Sequence, residues 1–151
     1  MTLERIKNKG VSDSFIIGLI LLIITGGIIW WVTCKIKENY LQDDPKLLHL
    51  KQMLSSIHPE IDDIKLYKAN KSYTINKEKI YLCLKDENGD YYSDNMLIYV
   101  FLHELAHFLN KDDIGHTEKF HEIFQDLLEK AHDIGVYNFS IPPIENYCVH
   151  N

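Results

Sequence analysis

The stretch VFLHELAHFLN, residues 100 to 110, decides how this chain is interpreted. Its residues are apolar on almost every side of a predicted helix, yet His103, Glu104 and His107 lie in the middle of it. Burying an imidazole or a carboxylate costs free energy unless the group is paired or bound to something. The three residues therefore indicate either a metal site or an internal hydrogen-bonded cluster.

The spacing of these residues favours the metal site. Residues four apart share one face of a helix, so His103 and His107 project together and can both reach a Zn²⁺ at about 2.0–2.1 Å. Glu104 is offset by one residue and is poorly placed as a ligand. It is placed to take a proton from a metal-activated water and to return it to a leaving amine, which is the chemistry of the HExxH pattern.

A catalytic zinc site needs a third protein ligand and an open fourth position. His116 is the best candidate, because it precedes a second amphipathic helix near that helix's apolar face and follows Gly115, which allows a sharp backbone turn. Four other residues nearby could serve instead: His121, Glu118, Asp112 and Asp113.

An uncharged run at residues 15–34 predicts a transmembrane helix. Twenty residues at about 1.5 Å each span a hydrocarbon core of roughly 30 Å. Trp30 and Trp31 fit the membrane–water boundary, and Lys35 follows at once. The run is longer than the apolar core of a signal peptide and ends in bulky residues, so an uncleaved anchor in membrane lipid is favoured. Three basic residues on each side leave the orientation, and thus the side on which the domain faces, undecided.

Charge and cysteine content narrow the function further. Residues 35–151 contain 13 Lys and Arg against 20 Asp and Glu, a net charge of −7, and have no basic stripe, so we expect no nucleic-acid partner. Cys34 lies at the predicted membrane edge and could be acylated. Cys83 and Cys148 are the remaining pair, and the sequence does not say whether they form a disulfide.

The order of predicted elements after the anchor indicates an α+β fold. A helix follows Pro45, and strands are predicted at 64–69, 72–76 and 79–85 with a tight turn at 76–77. Two helices follow, from about Ser93 to Asn110 and from about Thr117 to Asp133. The chain is thus divided into a polar tail at 1–14, a transmembrane helix at 15–34, a juxtamembrane stalk at 35–44 and a catalytic domain at 45–151.

Two segments, HELAH at 103–107 and GHTEKF at 115–120, carry a resemblance to a known family. They are similar to the zincin-type metallopeptidases of the WLM and SprT-like group, over roughly Tyr73 to Ala131. The run KDENGDYYSDNMLIYVFLHELAH most resembles virus-encoded members. The resemblance implies a minimal zincin-like domain, in which a small antiparallel or mixed sheet lines a cleft. An active-site helix would carry His103, Glu104 and His107, and the next helix His116.

The function expected from these features is a membrane-anchored zinc metalloendopeptidase that hydrolyses peptide bonds. A protein or peptide substrate would pair with an edge strand, for which Lys79–Lys85 is the predicted candidate. Tyr147, or else Tyr137, would donate a hydrogen bond to the tetrahedral intermediate, although packing over the core is the simpler role for either tyrosine. The alternative function is a non-catalytic membrane protein whose zinc site serves structure or partner binding.

Overall fold

A computed structural model of the chain describes residues 2–111 and 115–148. The chain divides into two compact units, Met1–Asn39 and Tyr40–Asn151, and each is described by itself. The predicted α+β class is confirmed. The second unit combines helices with a small mixed sheet of three strands.

The first unit consists of most of a long helix, α1 (Thr2–Gln42). This helix runs without interruption from the predicted tail through the predicted membrane span and ends two residues before the end of the predicted stalk. Within it, Ser14–Glu38 is long and apolar enough to cross a membrane by length and composition, and none of its apolar window is buried in the chain. The helix ends just before Pro45, which cannot continue a helix from the preceding turn.

The second unit opens with α2 (Pro45–Leu54), whose N-terminus is capped by Asp44 through a hydrogen bond from the backbone N–H of Lys46 at 3.0 Å. A short 3₁₀ turn at Pro59–Asp62 leads into the sheet. Its strands are β1 (Lys65–Lys68), β2 (Tyr73–Ile75) and β3 (Lys79–Leu82). The predicted turn at 76–77 is confirmed, because Asn76 and Lys77 both adopt positive φ between β2 and β3.

The strand order is β1-β3-β2, which corrects one prediction from the sequence. β3 was expected at an edge, but it pairs with β1 in parallel and with β2 in antiparallel, so it is the central strand. The alternation of buried residues, Ile80 and Leu82, shows which side chains of β3 face the core. The same alternation occurs in edge and central strands, so it does not predict which strands flank β3. β2 is the edge strand beside the histidines.

Two helices complete the unit, α3 (Asp94–Leu109) and α4 (Glu118–Asp133). Their N-termini are capped by Ser93 and Thr117, the residues near which the sequence predicted each helix to start. Apolar residues on both sides of α3 are fully buried, including Leu97 on one side and Leu102 and Ala106 on the other. The active-site helix predicted from the sequence therefore lies in the centre of the core, between the sheet and α4.

Candidate metal centre

Three histidines converge at the junction of α3 and α4. His103 and His107 project from one face of α3, and His116 lies immediately before the Thr117 cap of α4. The Nε2 atom of His116 is 3.1 Å from Nε2 of His103 and 3.1 Å from Nε2 of His107. One ligand atom from each of the three residues lies within 4.8 Å of the others. We refer to these three residues as the histidine cluster.

The segment before α4 positions His116. Gly115 has φ of +96°, a conformation that side chains with a Cβ rarely adopt, and this turns the chain back toward α3. Asn110, which ends α3, donates from Nδ2 to the hydroxyl of Thr117 at 3.4 Å. Lys77 in turn donates to the carbonyl of Asn110 at 2.8 Å. The end of α3 and the start of α4 are thus tied together on either side of His116.

Hydrogen bonding alone does not account for the histidine cluster. An imidazole nitrogen carries either one hydrogen or one lone pair in the ring plane, so Nε2 of His116 can make one good hydrogen bond, not two. Nε2 atoms that share a tetrahedral zinc ion at about 2.05 Å lie about 3.3 Å apart, close to the distances found. The residues present therefore fit a zinc ion better than they fit an internal hydrogen-bonded cluster.

Burial keeps the imidazoles of His103 and His107 in the neutral form, which is the form that binds metals. Burial, with smaller contributions from His107 and His116, lowers the pKa of His103 to about 4. Burial followed by the charge of His116 lowers the pKa of His107. Both rings are neutral at pH 7, as metal coordination requires.

An aromatic ring from α4 packs against all three imidazoles of the histidine cluster. Phe120 is 1% exposed, and its ring centroid lies 5.0, 4.4 and 4.8 Å from those of His103, His107 and His116 respectively. Its spacing on α4 identified it as a core residue, whereas its contact with all three imidazoles was not predicted. Phe120 restricts the ring orientations and excludes water from the inner side of the cluster.

Glu104, the proton acceptor predicted from the sequence, lines one cavity with His103 and another with His107. It is 7% exposed, and the Thr74 hydroxyl on β2 donates to its Oε2 at 2.8 Å and lies 3.0 Å from its backbone carbonyl. Burial raises the pKa of Glu104, while the hydrogen bond from Thr74 partly opposes that rise. Thr74 is a site residue that sequence reasoning missed, because a threonine in a short strand has no local signal of its partner.

Two cavities meet at Glu104. One of about 590 Å³ is bounded by His103, Glu104, the first half of α3 and the C-terminal segment, which we define as residues 138–148. The other, of about 520 Å³, is bounded by β2, Glu104, His107 and Gly115. We call them the apolar cavity and the polar cavity after their walls. Glu104 therefore lines both cavities.

Tyr147 lines the apolar cavity together with His103 and Glu104. Its hydroxyl donates to the carbonyl of Cys83 and lies 3.1 Å from the hydroxyl of Ser72. Burial raises its pKa to about 12. These bonds favour an anchoring role, and the role of Tyr147 as a donor to the oxyanion stays a prediction.

Tyr137, His121 and Glu118, which were also considered from the sequence, are not among the residues whose ligand atoms converge. Tyr137 packs in the core against Tyr99 and Phe139. His121 and Glu118 are exposed on α4, with the His121 ring centroid 6.3 Å from that of His116. Asp112 and Asp113 lie outside the described residues.

Cys83 and Cys148, whose pairing the sequence left open, form a disulfide with Cα atoms 6.2 Å apart. The bond joins the end of β3 to the C-terminal segment. Cys34 is exposed and not part of a disulfide.

The proteins similar to this chain are viral. An uncharacterized protein of Invertebrate iridescent virus 6 is 51% identical over 89 residues, which are 57% of this chain and 49% of that protein. An uncharacterized protein of Invertebrate iridescent virus 3 is 44% identical over 88 residues, 58% of this chain and 55% of that protein. One of Acanthamoeba polyphaga mimivirus is 32% identical over 124 residues, 75% of this chain and 62% of that protein.

This chain therefore spans about half the length of the two iridescent virus relatives and somewhat more of the mimivirus one. No protein-family profile matches the chain. No solved structure matches it. The comparisons thus relate the chain to uncharacterized viral proteins, and its chemistry follows from the site itself.

Proposed function

We propose that this chain is a viral, membrane-anchored zinc metallopeptidase of the zincin type, similar to the WLM and SprT-like group. The observation that carries the proposal is the convergence of the Nε2 atoms of His103, His107 and His116 beside the buried carboxylate of Glu104. Three imidazoles with one adjacent proton acceptor are the donor set of a hydrolytic zinc site.

The proposed chemistry divides between the ion and the chain. His103, His107 and His116 would hold the zinc ion, which when bound supplies Lewis acidity toward a water molecule and a peptide carbonyl. Glu104 accepts the proton of the attacking water and passes it to the departing amine nitrogen. Its raised pKa suits this exchange, because a base works best when its pKa lies near the working pH.

Substrate would bind as an extra strand along β2. That strand is bonded to β3 on one side and is the edge of the sheet on the other. A peptide pairing with Tyr73–Ile75 would run past Thr74, whose hydroxyl holds Glu104. Main-chain hydrogen bonds would then set the distance between the scissile bond and the carboxylate.

We further propose that Ser14–Glu38 anchors the enzyme as a single-pass span in membrane lipid. The segment has 25 residues, which at 1.5 Å per residue exceeds the hydrocarbon thickness of about 30 Å. Large apolar side chains along it are at least half exposed, among them Phe15, Leu22 and Trp30. Such a surface is stable in lipid and not in water.

The test uses the full chain in detergent, with zinc content and peptide cleavage measured on the same samples. Wild-type protein is expected to hold about one zinc ion per chain and to cleave peptides. Glu104→Gln should keep the zinc and lose at least about a thousandfold in kcat, because the amide cannot accept the proton. His103→Ala should lose both zinc and activity.

Two results would contradict the proposal. Cleavage by Glu104→Gln at the wild-type rate would remove Glu104 from the chemistry. Zinc bound by a wild-type chain that cleaves no peptide would favour the alternative function, a zinc-stabilised binding or structural module.

A further inference from the structure

The apolar cavity is larger than activation of a water molecule requires. Glu104 and His103 lie at one end of it, and the rest of its wall is mostly apolar. Met96 and Val100 contribute from α3, and Pro143 and Ile144 contribute from the C-terminal segment. A cavity of about 590 Å³ lies within the usual range of ligand sites, about 300–1,000 Å³, and holds a large side chain with its adjoining backbone.

Ile144 forms the outer part of this wall. It is 47% exposed, and its backbone N–H lies 3.3 Å from Sδ of Met96, which fixes it over the first turn of α3. An apolar side chain held at the mouth of a cavity gains free energy when a second apolar group covers it. An apolar ligand group that covers Ile144 would therefore remove its side chain from water and gain free energy.

The C-terminal segment has no regular secondary structure, so side chains must hold it in place. Asn95 on α3 accepts from the N–H of Asn138 at 2.7 Å and donates to the carbonyl of Ile141 at 3.4 Å. At the other end, the disulfide from Cys148 to Cys83 and the hydroxyl of Tyr147 fasten the segment to β3. The wall is thus fixed at both ends, as a binding surface needs to be.

We propose that the apolar cavity is a specificity subsite, which takes a large apolar side chain next to the scissile bond, and that Ile144 is its selecting residue. This inference rests on the proposed peptidase function. The polar cavity, which Glu104 also lines, is bounded by side chains such as Ser72, Thr74 and Asn76, and no aliphatic side chain of the described residues lines it. The preferred substrate is accordingly a peptide with leucine, methionine or phenylalanine on one side of the cleaved bond only.

The closing experiment measures binding apart from cleavage. Zinc-loaded full chains carrying Glu104→Gln are titrated by calorimetry with capped peptides of serine and glycine that contain a single alanine, leucine or glutamate. The same titrations are made with Ile144→Ala and with Ile141→Ala added. Ile141 is the matched control, because it lies on the same segment, is 48% exposed and does not line the cavity.

The leucine peptide is expected to bind at least about tenfold more tightly than the alanine peptide. Ile144→Ala should reduce that ratio to threefold or less, whereas Ile141→Ala should leave it unchanged. Cleavage by the wild-type chain, read by mass spectrometry, should fall beside the leucine. Because Ile144 is half exposed, its replacement leaves the core intact.

The outcomes separate the two proposals. Equal affinity for the leucine and alanine peptides, or equal effects of the two isoleucine variants, would overturn the subsite. Cleavage without preference for leucine would remove the subsite and leave the peptidase. Selective binding by a chain whose wild-type form cleaves nothing would leave the subsite and remove the peptidase.

Discussion

At the scale of single residues, the reactivity of the site depends on one hydrogen bond between two elements. Glu104 comes from the most buried helix, and burial alone would keep its carboxyl group protonated over a wider pH range. The hydroxyl of Thr74 stabilises the ionised form. The edge strand that would align substrate therefore also adjusts the base strength of Glu104.

Thr74→Val removes this hydrogen bond at nearly constant volume. The pKa of Glu104 should rise, because the ionised form loses a donor while burial stays the same. Activity that needs ionised Glu104 is present above its pKa and lost below it, so the acid limb of the kcat/KM profile should move to higher pH. Below that limb we expect roughly a tenfold loss or more, since hydrogen bonds to charged groups contribute about 1.5–3 kcal/mol.

The control for this variant is Thr74→Ser, which keeps the hydroxyl and should keep the wild-type pH profile. An unchanged acid limb in a folded, zinc-loaded Thr74→Val chain would mean that the hydroxyl holds the strand in place and does not affect the carboxylate.

The sequence predicted some of these residues and not others for a physical reason. His103, Glu104 and His107 follow from helical spacing, and His116 follows from Gly115 and from the apolar face of the helix after it. These signals are local, within one or two turns of chain. Thr74 is 30 residues from its partner Glu104, and such a contact exists only after the sheet has docked on α3.

At the scale of elements, helices were easier to predict than the order of strands. The apolar stripes of α3 and α4 are visible in the sequence of each segment alone. The observed helix boundaries therefore differ little from those expected. Sheet order depends on contacts between segments, so β3 was wrongly expected at the edge. The same reason explains why the pairing of Cys83 with Cys148 could not be decided from spacing.

The disulfide encloses α3 and α4 in one covalent loop. Its cysteines are 65 residues apart in sequence, and closing a loop of that length in the unfolded chain corresponds to about 4 kcal/mol of stability. A chain with Cys83→Ala and Cys148→Ala should therefore melt on the order of 15 °C lower by circular dichroism. Amide hydrogen exchange should also rise in the C-terminal segment before it rises in α3.

Cys34→Ser is the control, because Cys34 is exposed and outside the disulfide, and it should melt with the wild-type chain. A double variant that melts within about two degrees of wild type would show that the bonds from Asn95 and Tyr147 are sufficient to hold the segment.

At the scale of the whole molecule, the two units differ in how much of their apolar surface is exposed. The helix Ser14–Glu38 exposes large apolar side chains, while the unit Tyr40–Asn151 has a hydrophobic core of buried residues. A peptidase held at a membrane meets its substrates at that surface, which would limit cleavage to proteins that share the membrane or its immediate vicinity. Anchorage is thus part of the proposed selectivity, together with the apolar cavity.

A charge placed within the span tests anchorage. Ile24→Arg puts a guanidinium near the middle of Ser14–Glu38, where insertion scales assign a cost of about 2.5–3.5 kcal/mol. Full chains translated with microsomes should resist alkaline extraction in the wild type and be largely extracted in this variant. Ile36→Arg makes the same substitution near the end of the span, where the side chain reaches the headgroups, and should stay in the membrane.

Mass spectrometry of the translated chain separates an anchor from a signal peptide. An anchor leaves the full-length mass in the membrane fraction, whereas a signal peptide leaves a shortened chain in the soluble fraction. The anchor is proposed on physical grounds. The exposed apolar length from Phe15 to Val32 matches a whole bilayer, about twice the core of a signal sequence, and no basic or acidic residue interrupts it. A shortened, soluble product would remove the anchor and leave the metal centre untouched, because the histidine cluster and Glu104 lie wholly within Tyr40–Asn151.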